Sequence, residues 1–176
     1  MKLNKLIAIA TISLLSGGIS MAQKALNLED IVAGNVIQTK GVGSMTWLKD
    51  GERYSRLENN KQTGGTDIVA YQAKDNSREV IIPSSLLTDK STGKPIPVRS
   101  ISWSADNEKV LIYNNTQRVW RYDTRGDYWV LNLKDGALRQ LGKGMPESSM
   151  MFAKFSPDGT RVAYVSNNNI YVEDID

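Results

Sequence analysis

The stretch Ala153-Lys154-Phe155-Ser156-Pro157-Asp158-Gly159-Thr160-Arg161-Val162 reads as a strand ending on an aromatic residue, a tight turn carrying Asp-Gly, and the start of a second, apolar strand. Two earlier stretches share the same grammar. One is Met45-Thr46-Trp47-Leu48-Lys49-Asp50-Gly51-Glu52-Arg53-Tyr54, the other Ile101-Ser102-Trp103-Ser104-Ala105-Asp106-Asn107-Glu108-Lys109-Val110. Each turn needs a residue at positive φ, which Gly and Asn adopt at low cost.

Outward from each hairpin the repetition continues. A third strand is expected at Ile68-Val69-Ala70-Tyr71, at Tyr128-Trp129-Val130-Leu131 and at Ile170-Tyr171-Val172. Turns at Asp75-Asn76 and Asp135-Gly136 lead to fourth strands, Glu79-Val80-Ile81-Ile82 and Leu138-Arg139-Gln140-Leu141. Four antiparallel strands per repeat are the blades of a β-propeller. The fold class expected is all-β, a partial propeller of about two and a half blades after a signal peptide. The blades fall at 44–83, 98–142 and 150–176, after an N-terminal arm at 23–43 that holds a short helix capped by Asn27. Val110 to Tyr113 and Val162 to Val165 are unbroken apolar runs, as in strands buried on both faces. Trp47, Trp103 and Phe155 share one blade position and are expected in the core. An ordinary β-sandwich with similar turns is the alternative. A propeller closes with roughly 4–8 blades, so the chain is expected to be a piece of a longer protein.

Composition removes whole classes of chemistry. The 176 residues contain no His and no Cys. Ser-His-Asp and Cys-His catalysis, disulfides and the usual zinc, haem and iron–sulfur ligand sets are therefore outside this chain's means. No metal site, cofactor or catalytic residue is expected. Lys and Arg number 22 against 19 Asp and Glu, but Lys2 and Lys5 belong to a leader, leaving 20 against 19. No basic stripe points to nucleic acid. The leader is residues 1–22: a charged start, an apolar run from Leu6 to Leu15, and Ser20-Met21-Ala22 as a cleavage pattern. The run is short of the ~20 residues of a membrane span. The mature chain is expected to be exported, periplasmic or secreted, and without a membrane span.

The second repeat carries a more specific signal. Val119-Trp120-Arg121-Tyr122-Asp123-Thr124-Arg125-Gly126-Asp127-Tyr128-Trp129-Val130-Leu131-Asn132-Leu133 resembles the N-terminal propeller of a bacterial dipeptidyl peptidase IV, in the prolyl oligopeptidase group of serine peptidases. Phe155-Ser156-Pro157-Asp158-Gly159, Val162-Ala163-Tyr164-Val165 and Asn168-Asn169-Ile170-Tyr171-Val172 add to the resemblance, as do Leu28-Glu29-Asp30-Ile31 and Ser44-Met45-Thr46-Trp47. It implies an exported exopeptidase that removes N-terminal dipeptides with Pro or Ala second. Its partners would be peptide substrates and a C-terminal α/β-hydrolase domain, with a homodimer possible. The triad and its Gly-x-Ser-x-Gly elbow are absent here, and so is the Glu-Glu pair that holds the substrate amine. What remains is Arg121, whose counterpart in that family binds a backbone carbonyl of the peptide. The chain would then position substrate and gate access without being catalytic alone.

From the residues alone Arg121 is equally a solvated cation or one stacked on Trp120 or Tyr122. Trp120 is expected to anchor the base of an insertion, with Asp123, Arg125 and Asp127 as solvated turn charges or an ion-pair network. Asn114-Asn115-Thr116 forms a glycosylation sequon. The alternative function is a non-catalytic periplasmic interaction module of the TolB type, which needs no Trp-Arg insertion; a self-contained β-domain binding sugar or peptide is a third reading. The leader predicts a mature chain that starts at Gln23. Intact-mass analysis of exported protein checks this, and retention of Met1 would exclude it.

Overall fold

The computed structural model describes residues 27–32, 41 and 43–175. The expected leader and most of the N-terminal arm lie outside the described residues. The chain divides at Gly41 into two units. In the first, α1 (Leu28–Val32) is one helical turn, with the Ile31 N–H donating to the Asn27 carbonyl at 3.3 Å. Among the described residues no helix is long and apolar enough to cross a membrane.

The second unit is the expected all-β partial propeller. β1 (Thr46–Trp47), β2 (Arg53–Asn59), β3 (Thr66–Gln72) and β4 (Arg78–Ile82) form one antiparallel sheet in chain order. A small hairpin comes next, β5 (Thr88–Asp89) and β6 (Lys94–Pro95), entered through a 3-10 turn at Ser84–Leu87. β7 (Ser100–Trp103), β8 (Lys109–Val119), β9 (Tyr122–Asn132) and β10 (Leu138–Gln140) form the second sheet. β11 (Met151–Phe155), β12 (Arg161–Ser166) and β13 (Asn169–Asp174) form the third, again in chain order.

The middle sheet joins the other two because its central strands, β8 and β9, are apolar on both faces over Val110–Ile112 and Trp129–Leu131. Side chains alternate along a strand, and the register pairs Val110 with Leu131, Leu111 with Val130 and Ile112 with Trp129. Val110, Ile112 and Leu131 enter a core with Ile68, Ile82 and Leu87 from the first sheet and the turn after it. Leu111, Val130 and Tyr128 enter a second core with Val162 and Tyr164 of β12, closed by Leu141, Met150 and Ile175. Full burial of each aliphatic side chain is worth about 1.5–3 kcal/mol. Leu87 was not visible as core in the sequence, since it sits in a turn with no strand or helix period around it.

Trp47 departs from its expected place. It is 61% exposed, on the face of β1 turned away from the second sheet. There it meets Tyr54 edge-on at 6.0 Å, and Tyr54 stacks on Tyr71 at 5.5 Å. The equivalent Trp103 is half-buried between sheets, its indole N–H donating to the Ser55 hydroxyl at 2.9 Å. One sequence position thus has two environments, because the first sheet has a neighbour on one side only among the described residues.

The three hairpin turns are built alike. Gly51, Asn107 and Gly159 take φ of 71°, 60° and 71°. The Asp before each turns its carboxylate back on the loop. Asp50 accepts from the N–H groups of Glu52 and Arg53, Asp106 from the Glu108 N–H and the Ser104 hydroxyl, and Asp158 from the Thr160 N–H and hydroxyl and the Ser156 hydroxyl. The turns also touch one another across sheets. The Lys49 N–H donates to the Asn107 side-chain oxygen, and the buried Lys109 ammonium donates to the Gly159 carbonyl at 3.1 Å.

These bonds favour the charged carboxylates. The Ser156 hydroxyl, and after it the Thr160 donors, hold Asp158 down at about 2, and Asp50 and Asp106 are lowered by Arg53 and Ser104 respectively. A depressed pKa gives stability that is present above the unfolded value near 3.8 and lost as pH falls through the folded one. The thermal midpoint of the full-length protein carrying this chain is therefore expected to drop between about pH 4 and about pH 2. In Asp158→Asn, where one of these titrations is removed, the drop is shallower; scanning calorimetry across that range checks it.

Candidate functional site

The long hairpin of the second sheet is where the chain leaves the blade pattern. β8 and β9 are 11 residues each, whereas β12 and β13 are 6 each and turn directly through Asn167-Asn168, both at positive φ. From Lys109 to Asn114 the β8 ladder to β9 is regular. It then shifts register between Asn114 and Gln117 and again between Gln117 and Arg118. Bulges of this kind bend a strand and re-aim its distal part. The distal part closes on the pair Val119 and Tyr122, leaving Trp120-Arg121 as a two-residue turn.

Arg121 stands exposed at this tip. Among the described residues its guanidinium has no hydrogen-bond or ion-pair partner. Trp120 does not anchor the base of the hairpin as expected. It is 95% exposed at the tip and holds φ at 61°, an uncommon conformation for a bulky residue. The two-residue turn forces this, since such turns require positive φ at a central position whatever residue occupies it. Tyr122 beside it is 73% exposed.

The base of the hairpin is tightly bonded instead. Asp127 is buried, not a solvated turn charge: its carboxylate accepts from the Asn115 side chain at 2.7 Å and from the Ser148 N–H at 2.8 Å. The Ser148 hydroxyl donates to the Asn115 carbonyl at 2.6 Å. Gly126 and Met150 exchange both backbone hydrogen bonds, at 3.0 and 3.1 Å, tying the hairpin to the entry of the third sheet. Arg125 lies in the ladder opposite Gln117 and not in a turn. Asp123 pairs with Arg99 at 3.1 Å and Arg118 at 3.9 Å instead, and among the described residues it forms no ion pair with Arg121 or Arg125, so the expected network is not the one built. Asn114, the sequon residue, is buried.

Tyr113 sits at the bend. Its ring stacks on Tyr128 at 4.8 Å, and its hydroxyl lies 3.0 Å from the Asp123 carbonyl and 2.9 Å from that of Arg125. Burial, with Tyr128 and Asp123 adding, pushes this hydroxyl up to about 12, so it remains a donor well beyond neutral pH. The ring lies where any side chain at 126 would go. A Cβ there would come within 2.4 Å of Tyr113 Cε2 and 2.6 Å of the Asn114 carbonyl oxygen, so only Gly fits. Nothing in the sequence marked Tyr113, Gly126, Asp127 and Ser148 as one group. A lone Gly within a strand pattern is the signal that could have pointed to the bulge.

Two grooves lie away from the tip. A groove of about 580 Å³ between the first two sheets is lined by Leu48, Arg53, Ile81, Trp103 and Leu133, at the Asp-turn end. Another of about 550 Å³ lies at the hairpin base beside Val98, Arg99, Asn114 and Thr116. Neither includes Arg121. Among the described residues no group of three His, Cys, Asp or Glu could hold a metal ion.

Known proteins share this architecture. Residues 104–176 match the family model described as the dipeptidyl peptidase IV (DPP IV) N-terminal region. The dipeptidyl aminopeptidase B of Saccharomyces cerevisiae is 28% identical over 152 residues, covering 81% of this chain and 17% of that protein. A probable dipeptidyl-aminopeptidase B of Aspergillus oryzae is 27% identical over 124 residues, covering 70% of this chain and 13% of the relative. Dipeptidyl peptidase 4 of Porphyromonas gingivalis shares the fold, with a TM-score of 0.67 and 21% identity over 86% of this chain and 20% of that one. The chain thus spans no more than a fifth of the length of these relatives. Residues 104–176 thus carry the pattern of the dipeptidyl peptidase IV N-terminal region, within a chain that shares its blade architecture with the Porphyromonas gingivalis dipeptidyl peptidase 4.

Proposed function

We propose that this chain is the substrate-positioning part of an exported serine exopeptidase that removes dipeptides with Pro or Ala second from peptide N-termini. A C-terminal α/β-hydrolase domain supplies the catalytic groups, and the propeller limits which substrates reach them. Arg121 is the residue of this chain that touches the peptide. The observation that carries the reading is the position of the family match, which takes in the whole Trp120-Arg121 hairpin.

The chemistry of the tip supports it. A guanidinium presents planar donors that suit carbonyl oxygens, and it stays charged at any relevant pH. An exposed Arg without an internal partner keeps those donors available. A hydrogen bond from such a charged group is worth about 1.5–3 kcal/mol. Peptides have no fixed charge along the backbone, so recognition at this point reads the main chain and tolerates many side chains.

Two outcomes are expected. In the full-length protein Arg121→Ala lowers kcat/KM for Gly-Pro-p-nitroanilide by about tenfold to a few hundredfold, while Arg125→Ala, an exposed ladder residue, changes it much less. Equal losses in the two variants, or unfolding of Arg121→Ala by circular dichroism, would show that Arg121 is structural. The isolated 176-residue chain, with no His, releases no p-nitroaniline at any concentration tested. Release that scales with the amount of pure chain would contradict the assignment of catalysis to another domain.

A further inference from the structure

We infer that Tyr113 is a positioning residue that fixes the direction in which the hairpin presents Arg121. The inference rests on the reading of Arg121 as the peptide-binding group. Below the bend, β8 and β9 are held by the regular ladder and by two cores. Above it the ladder is broken twice, and position 126 is Gly, the residue least able to resist bending, with the Tyr113 ring in the space a side chain would take. Among the described residues, two kinds of polar contact cross the bend to grip the distal part. One is the Arg99–Asp123 ion pair, whose arginine is 64% exposed and whose hold is correspondingly screened. The other is the Tyr113 hydroxyl, shared between the Asp123 and Arg125 carbonyls.

Tyr113 is suited to act as a strut. Its ring is fixed at one end by stacking on the buried Tyr128 and packing against the second core. Its other end reaches two carbonyls on the distal strand, and the missing side chain at Gly126 is what lets it pass. Leverage decides the size of the effect. Gly126 to Arg121 spans about five residues, or about 16 Å of extended strand. A swing of about 10° at the bend therefore moves the guanidinium by about 3 Å, as much as the length of a hydrogen bond. A bend left without its strut would put Arg121 out of reach of a fixed carbonyl for much of the time.

The test uses Tyr113→Phe in the full-length protein, which keeps the ring and removes only the hydroxyl. The expected result has four parts. The thermal midpoint stays within a few degrees. Hydrogen–deuterium exchange of residues 117–125 speeds up about three- to tenfold. KM for Gly-Pro-p-nitroanilide rises by a similar factor, with kcat within about twofold. The double variant Tyr113→Phe/Arg121→Ala has the KM of Arg121→Ala alone, because the hydroxyl acts through the arginine. Unchanged exchange would overturn the strut whatever Arg121 does. Faster exchange with unchanged KM, beside a raised KM in Arg121→Ala, would overturn positioning and leave the role of Arg121 intact. If neither variant moves KM, the role of Arg121 itself fails and the inference with it. Additive effects in the double variant would show an ordinary structural role. Should Tyr113→Phe not fold, Tyr113→Met, which removes the hydroxyl and adds nothing against the Gly126 backbone, is read by the same four measurements.

Discussion

Everything in the propeller unit depends on the two central strands of the middle sheet being apolar on both faces. Val110 and Ile112 point one way and Leu111 the other, and their partners on β9 do the same. A strand with one polar face would support only one neighbouring sheet, and the stack would end there. Because both faces are apolar, each core is shared between two sheets and neither forms without the other's strands. The turns then register the stack. The side-chain oxygen of Asn107 and the ammonium of Lys109 reach the turns on either side, so successive sheets are aligned at one end by polar contacts and along their length by packing.

The proposed function comes from a departure from that scheme. In the third sheet β12 and β13 turn as soon as their ladder has done its part in the core. In the second the same pair of strands runs on past the sheet. Nothing apolar covers the extension among the described residues, and the polar contacts at its base replace packing as the source of order. Asp127 is the centre of that exchange. It is a buried carboxylate, costly in isolation, and it is supplied with donors from β8 and from the approach to β11.

The repeat grammar made most of the fold legible. Three Asp turns with Gly or Asn at positive φ, three aromatic strand ends and two unbroken apolar runs arise from local rules, and local rules survive in a single sequence. The most specific part of the family resemblance likewise lies in contiguous residues, Val119 to Leu133. What could not be read is non-local. Trp47 and Trp103 are the same letter in the same grammar, yet one is exposed and the other packed, because exposure depends on which sheet lies alongside. Trp120 looked like an anchor because tryptophan usually is one; its place at a turn was fixed by ladder register. The base of the hairpin joins Tyr113, Gly126, Asp127, Ser148 and Met150 through backbone geometry that no spacing rule encodes.

The backbone exchange between Gly126 and Met150 has a bearing on how this hairpin can vary. The bond pair locks one point of the long hairpin to the first residue before β11, so length is not free on the near side of it. A residue inserted between Asn114 and the bulge would shift the bridge and drag the entry of the next sheet out of register. A residue inserted between Gln117 and Arg125 would lengthen the tip and leave the sheets where they are. The hairpin is in this sense divided into a part that belongs to the scaffold and a part open to evolutionary change, and Arg121 lies in the second. Reach and chemistry at the tip can be retuned by insertion, deletion or substitution without any compensating change in the stack that carries it.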